Sequence, residues 1–186
     1  MDKEARELLD SGKQFLIVDD RENDKIKHML YMALGNARLD PDGQVLVMRL
    51  KNGDYILDDW IIEAKEINDL AQSILGKGRS RTVAAQINDM QSSCPEKVNW
   101  LVVYNQERDL KPYFSKRGSK GWRNSKGGKK NAAIQIARMK ETIRTFKRGY
   151  CTRFPDIRYF QLETMQDFVD WLVESYKQKV ILGHRK

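Results

Sequence analysis

Gly53-Asp54-Tyr55-Ile56-Leu57-Asp58-Asp59-Trp60-Ile61-Ile62-Glu63-Ala64-Lys65 is the stretch on which the fold turns. Apolar triplets at 55–57 and 60–62 flank an Asp-Asp pair, a pattern of two short strands joined by a two-residue turn. In that register Leu57 faces Trp60, Ile56 faces Ile61, Tyr55 faces Ile62 and Asp54 faces Glu63. Opposed residues on an antiparallel pair hold their Cβ atoms roughly 4.5–5.5 Å apart. Side chains alternate along a strand, so Lys65 shares a face with Glu63 while Ala64 points away. Asp54, Glu63 and Lys65 therefore converge. Asp-Asp is a weaker turn sequence than Asn-Gly, and a longer loop would change the register.

Two opposed carboxylates repel each other and should destabilise the pair. A divalent cation held between their oxygens would offset this, and Mg²⁺ suits a site completed by water and substrate phosphate. Lys65 alongside would polarise an attacking water or neutralise charge building on a phosphate. Asp19, at the end of an early strand, is a candidate for an outer position in the cluster. The same residues also fit a plainer arrangement, with Asp54 as a turn residue and Glu63 and Lys65 as an exposed cross-sheet pair.

Outward from this stretch, the elements alternate. Residues 14–18 read as a short buried strand and residues 22–34 as a helix with Ile26, Leu30 and Ala33 at helical spacing. A turn at 39–43 precedes a strand at 45–50. Helices follow at 67–75 and at 80–91, the second with Ser80 as its cap. A hydrophobic strand at 98–104, a helix at 132–146, a strand at 157–160 and a helix at 164–176 capped by Thr164 complete the chain. This order gives an α/β fold, a mixed central β-sheet flanked by helices. Residues 1–186 read as one domain without an internal repeat.

Of the 186 residues, 32% are charged and the net charge is +8. Residues 111–150 hold thirteen Lys/Arg against one acid, Glu141, which leaves the remainder slightly acidic. A patch of this kind attracts polyphosphate. Its densest part, 111–130, has eight cations, four glycines and no apolar period, and reads as a mobile loop. Tyr113, Phe114 and Trp122 lie among those cations, and such rings stack on bases while Lys and Arg meet phosphates. Cys94, Cys151, His28 and His184 have no partners at metal-ligand spacing, which excludes a structural zinc site and a disulfide scaffold. No apolar run reaches the ~18 residues of a membrane helix, and residues 1–13 carry acids and no apolar block. The chain reads as intracellular, with no membrane partner.

Val18-Asp19-Asp20-Arg21-Glu22, Gly53-Asp54-Tyr55 and Glu63-Ala64-Lys65-Glu66-Ile67-Asn68-Asp69, followed by Gly78-Arg79, Gln86 and Met90, resemble the nuclease domain of the XPF family. That family includes the archaeal Hef nuclease and the eukaryotic flap and fork endonucleases. The resemblance spans roughly residues 15–105, and more loosely 156–176. It implies a restriction-endonuclease-like core that hydrolyses DNA phosphodiesters with Mg²⁺ or Mn²⁺. By motif, Asp54, Glu63 and Ala64 would hold the metal, with Asp19 and Glu22 supporting, Lys65 acting on the attacking water and Asp69 ordering the site. Arg21, Arg79 and Gln86 would lie near the scissile phosphate.

Three departures stand out. Ala64 replaces the family Arg between Glu and Lys, so rate or phosphate handling should differ. The sequence given contains no tandem helix-hairpin-helix module. The basic segment is longer than the family pattern implies, so Lys116, Arg117, Lys120, Trp122, Arg123, Lys126, Lys129 and Lys130 are candidates for the missing DNA grip. The expected substrate is branched DNA: a flap, a fork or a Holliday junction. A non-catalytic DNA-binding scaffold of the same fold, and a nuclease for RNA or nonspecific substrates, remain open alternatives. The family often pairs subunits, which makes a homodimer a candidate, and a compact nuclease of this kind would suit a virus or mobile element.

Overall fold

In the computed structural model, residues 16–39, 45–75, 82–112 and 126–183 are described, the side chains at 126, 127, 151 and 180–183 excepted. Six strands form one mixed sheet: β1 (Leu16–Asp19), β2 (Val45–Met48), β3 (Tyr55–Leu57), β4 (Trp60–Glu66), β5 (Val98–Tyr104) and β6 (Ile157–Gln161). Their spatial order is β2-β1-β3-β4-β5-β6. β1 runs parallel to β2 and antiparallel to β3, β3 is antiparallel to β4, and β4, β5 and β6 are mutually parallel. The helices are α1 (Asp24–Asn36), α2 (Ile67–Ile74), α3 (Val83–Ser93), α4 (Lys126–Arg153) and α5 (Met165–Gly183).

Strand alternation sorts the core into two layers. Leu16, Val18, Tyr55, Leu57, Ile62 and Val102 meet α1 and α5 on one face. On the other, Leu101 and Val103 meet α2, α3 and α4, while Ile17, Ile56 and Ile61 meet Met90 and Cys94 at the end of α3. By the same parity Asp19, Asp54, Glu63 and Lys65 fall on the face of α2, α3 and α4.

The hairpin register is the one read from the sequence: Tyr55 opposes Ile62, Ile56 opposes Ile61 and Leu57 opposes Trp60. Asp58 takes a left-handed conformation, φ 52°, which Asp tolerates better than most residues. The turn is held from outside. Lys97 Nζ donates to the Asp58 carbonyl at 2.9 Å, and Lys179 of α5 bridges the carboxylates of Asp58 and Asp59.

Several boundaries shift, among them the end of β2 at Met48 and of α5 at Gly183. β4 continues to Glu66 and passes directly into α2. α1 begins at Asp24, where the Asn23 side chain accepts from the Lys25 amide. α3 is capped by Thr82, whose hydroxyl accepts from Ala85 N, and Ser80, the cap expected from the sequence, lies outside the described residues. α4 starts at Lys126 and runs to Arg153, so Lys126, Lys129 and Lys130 belong to a helix and not to the expected loop. Gly-Gly is a poor helix starter, yet each residue added to a helix already formed from 132 onward gains a hydrogen bond without a new nucleation cost.

Candidate active site

Gly53 sets the site. Its φ of +75° is left-handed, and a Cβ there would stand 2.7 Å from Ile61 Cγ2 and 3.3 Å from the Ile62 carbonyl. The close approach lets Asp54 N donate to Ile62 O at 2.8 Å, and Asp19 N in turn donate to Asp54 O at 2.8 Å. Asp54 is thereby fixed between β1 and β4, and its Oδ2 accepts from Ala64 N at 2.8 Å.

Glu63 is buried, 3% exposed. Its Oε1 accepts from Lys65 Nζ at 2.6 Å and from Gln86 Nε2 of α3 at 2.7 Å. Burial pushes the Asp54 carboxyl well above the ordinary carboxylate value, the neighbouring Glu63 charge adds to the rise, and Lys65 opposes it. For Lys65 burial acts downward, but the Glu63 and Asp54 carboxylates outweigh it, so the ammonium is held above its usual value. Lys65 is therefore a cationic donor at neutral pH and not a free base.

Asp19 is used differently. Its Oδ1 accepts from the amide and Nε of Arg21, both at 2.8 Å, and its Oδ2 accepts from Arg21 Nη2 at 2.7 Å and Leu50 N at 2.9 Å. Burial raises the Asp19 carboxyl, but these bonds prevail and hold it below its ordinary value. Asp19 thus orients Arg21 and ties down the chain leading into Gly53. The charge of Glu22 acts upward on Asp54, Tyr55 and Tyr104. Asp69 lies in the first turn of α2, where packing of its carboxyl and the charge of Glu66 raise it against the pull of Lys65.

A cleft of about 570 Å³ opens over these groups, lined by Arg21, Lys51, Asn52, Asp54, Glu63 and Gln86, with Asp89 and Ser93 below. Sequence reading singled out Arg21, Asp54, Glu63 and Gln86 but missed Lys51, Asn52, Asp89 and Ser93. The signal available was the spacing of Gln86, Asp89 and Ser93, a polar stripe along one side of α3. Asn52 Nδ2 donates to Ser93 Oγ at 2.7 Å and ties that stripe to the loop before Gly53. Lys129 and Lys130 stand exposed on α4, away from the cleft lining. The Lys126 side chain, and Arg79, Lys116, Arg117, Lys120, Trp122 and Arg123, lie outside the described residues.

The donors present fit a hard divalent cation. Among the described residues no three His, Cys, Asp or Glu side chains group at metal distance, so a cation beside Asp54 and Glu63 would take the rest of its shell from other oxygens. Ala64 N points at Asp54, and a strand residue directs its N–H and C=O to the same side, so the Ala64 carbonyl faces the same edge. Gln86, which lines the same cleft, has its Oε1 buried and without a hydrogen-bond partner among the described residues. Mg²⁺ takes this donor class, one or two carboxylates with water and phosphate.

The model of the ERCC4 domain family matches residues 18–175. A solved structure of XPF from Aeropyrum pernix superposes with a TM-score of 0.55 at 16% identity, over 89% of this chain and 64% of that one. At that identity the likeness speaks for the fold alone, and the chain spans less than two thirds of the length of that protein. No curated protein matches by sequence.

Proposed function

Because the chain belongs to the ERCC4 domain family, we propose that it is a divalent-metal-dependent DNA endonuclease selective for branched DNA. The observation that carries the reading is that Asp54 and Glu63 line one cleft while Lys65, on the same face of the sheet, holds its Nζ 2.6 Å from Glu63 Oε1. Asp54, Glu63 and the Ala64 carbonyl would hold Mg²⁺ or Mn²⁺. When bound, the cation supplies Lewis-acid stabilisation of charge on the phosphate and the leaving oxygen.

The chain's own residues supply the remainder. Lys65, held protonated by Glu63 and Asp54, donates to the attacking water or to a phosphate oxygen. Arg21, oriented by the carboxylate of Asp19, presents its guanidinium at the mouth of the cleft, where a phosphodiester would pass. Gln86 holds Glu63 in place through its amide nitrogen. Residues 1–186 act in this reading as one nuclease domain within the cell, with pairing of two copies as a further expectation. Among the described residues no helix is long and apolar enough to cross a membrane.

The test is a cleavage panel on flap, fork, four-way and linear DNA, with RNA alongside, in Mg²⁺ and in EDTA. Wild-type protein should nick branched DNA in Mg²⁺ only. Asp54→Asn should lose about 10²-fold or more in rate, the scale of removing one preorganised electrostatic group, while still binding DNA. Cutting by Asp54→Asn at the wild-type rate would end the assignment. A metal-independent binder with no cleavage would establish the scaffold reading, which the retention of Asp54, Glu63 and Lys65 together disfavours.

A further inference from the structure

Helix α4 is too long for the layer it packs in. Its 28 residues extend about 42 Å, whereas the seven residues of β5 span about 23 Å. Met139, Ile143 and Tyr150 anchor it in the core beside α2. From Lys129 to Arg138 no residue is fully buried, although Gly128 before them is buried and Ile136 packs against that core with one side of the helix. Arg144 bridges Glu107 at 3.2 Å, just past the C-terminal end of β5, which places the middle of the helix at that end of the sheet.

The direction of this projection follows from topology. α4 connects β5 to β6, and those strands are parallel, so the helix runs antiparallel to both. Its N-terminal turns therefore stand at the C-terminal edge of β4 and β5, the end to which Lys65 belongs. Its anchoring residues share the layer of α2, α3 and Leu101, the partner of Glu63. The projecting turns and the catalytic cleft thus lie on one face of the sheet and at one end of it.

Lys130, Ile134 and Arg138 follow at four-residue steps and form one stripe about 12 Å long. All three are exposed, and Ile134 is 44% exposed, an apolar side chain standing between two cations. Glu141 is the sole acid of α4, and Arg148 engages it at 3.3 Å, so no acid of the helix opposes the stripe. Phosphate backbone is the chemistry that complements such a surface, and an exposed aliphatic among phosphate-binding cations is the device by which proteins abut or part a base step.

Resting on the DNA reading above, we propose that the projecting turns of α4 form a branch-reading arm. Lys130 and Arg138 hold the phosphates of a duplex leaving the cleft, and Ile134 abuts the base pair at the junction. Ile134 is then a specificity residue, and the two cations contribute affinity without sequence preference.

The experiment measures binding of the full chain to forked and linear DNA in EDTA, across a salt series, by fluorescence anisotropy. Lys130→Ala with Arg138→Ala should lower the slope of log affinity against log salt by about 1.8, or 0.9 for each phosphate no longer neutralised, on both DNAs. Ile134→Ser should leave that slope unchanged and reduce the preference for forked over linear DNA severalfold. Unchanged slope in the double variant, or unchanged preference in Ile134→Ser, overturns the arm. All three positions are exposed, so melting curves matching wild type verify folding. If wild type cuts forked DNA while both variants bind as it does, the arm fails and the nuclease reading stands. If wild type neither binds nor cuts DNA, the nuclease reading fails and takes the arm with it.

Discussion

The carboxyl of Asp54 is raised by burial and by the neighbouring Glu63 charge. A folded-state pKa above the unfolded one means the folded chain holds that proton more tightly. The resulting stability is present below the unfolded value and is lost as pH rises through the folded one. Asp54→Asn abolishes the titration, so in EDTA at neutral pH the variant should melt a few degrees above wild type, the gap closing as the solution is acidified. Thermal melts over a pH series check this, and a variant melting below wild type at neutral pH would contradict it. Asp19 has the opposite sign. Its carboxyl is held below the ordinary value by Arg21 and the Leu50 amide, so its contribution exists above the unfolded pKa and disappears as pH falls through the folded one. Asp19→Asn should cost about 1–2 kcal/mol at neutral pH, since Arg21 is half exposed and its pairing is screened. Urea unfolding at several pH values should show that cost vanish in acid.

The elements meet at two points where single side chains decide the geometry. Gly53 joins the loop after β2 to β3, and an added methyl group meets both a left-handed backbone and Ile61. Gly53→Ala should destabilise by about 2–4 kcal/mol, combining backbone strain with overpacking, and should displace Asp54 from Ala64. The measurement is the denaturant midpoint, together with the rate of metal-dependent cleavage. On the opposite face, Trp171 of α5 packs against Trp60 of β4, Trp100 of β5 and Phe160 of β6, with ring centroids 6.1, 5.7 and 5.8 Å away. α5 is also tied to the β3–β4 turn through Lys179, whose ammonium lies 4.8 Å over the Trp60 ring. Trp171→Ala should lower stability by about 2–3 kcal/mol, less than the loss of a fully buried aromatic because Trp171 is half-buried, read from the urea midpoint. These contacts explain how an Asp-Asp turn of modest propensity holds a two-residue register: α5 and Lys97 restrain it from outside.

At the scale of the whole molecule, charge is segregated. The cationic excess of residues 111–150 stands against an otherwise slightly acidic remainder of the chain, and the cleft is lined by three carboxylate residues, Asp54, Glu63 and Asp89. Mg²⁺ in excess should raise the melting temperature of wild type, because a ligand of the folded state stabilises it by mass action, and should leave Asp54→Asn unmoved. Equal shifts in both proteins would place the cation elsewhere. Much of this was legible beforehand. The apolar triplets at 55–57 and 60–62, with only two residues between, set the facing of Asp54, Glu63 and Lys65 through the alternation of side chains along a strand. Alternating strand and helix signals likewise specified an α/β order, since each reports a nearby periodicity. Three things required the folded chain. Asp19 became a holder of Arg21 because Leu50, thirty-one positions away, supplies the second donor. Lys51, Asn52, Asp89 and Ser93 entered the cleft because α3 packs back over β1, β3 and β4. The direction of α4 was set by parallel β5 and β6, which place its N-terminal turns at the C-terminal edge of the sheet. Sequence speaks through near neighbours and their period, whereas contacts between distant segments depend on which surfaces bury each other.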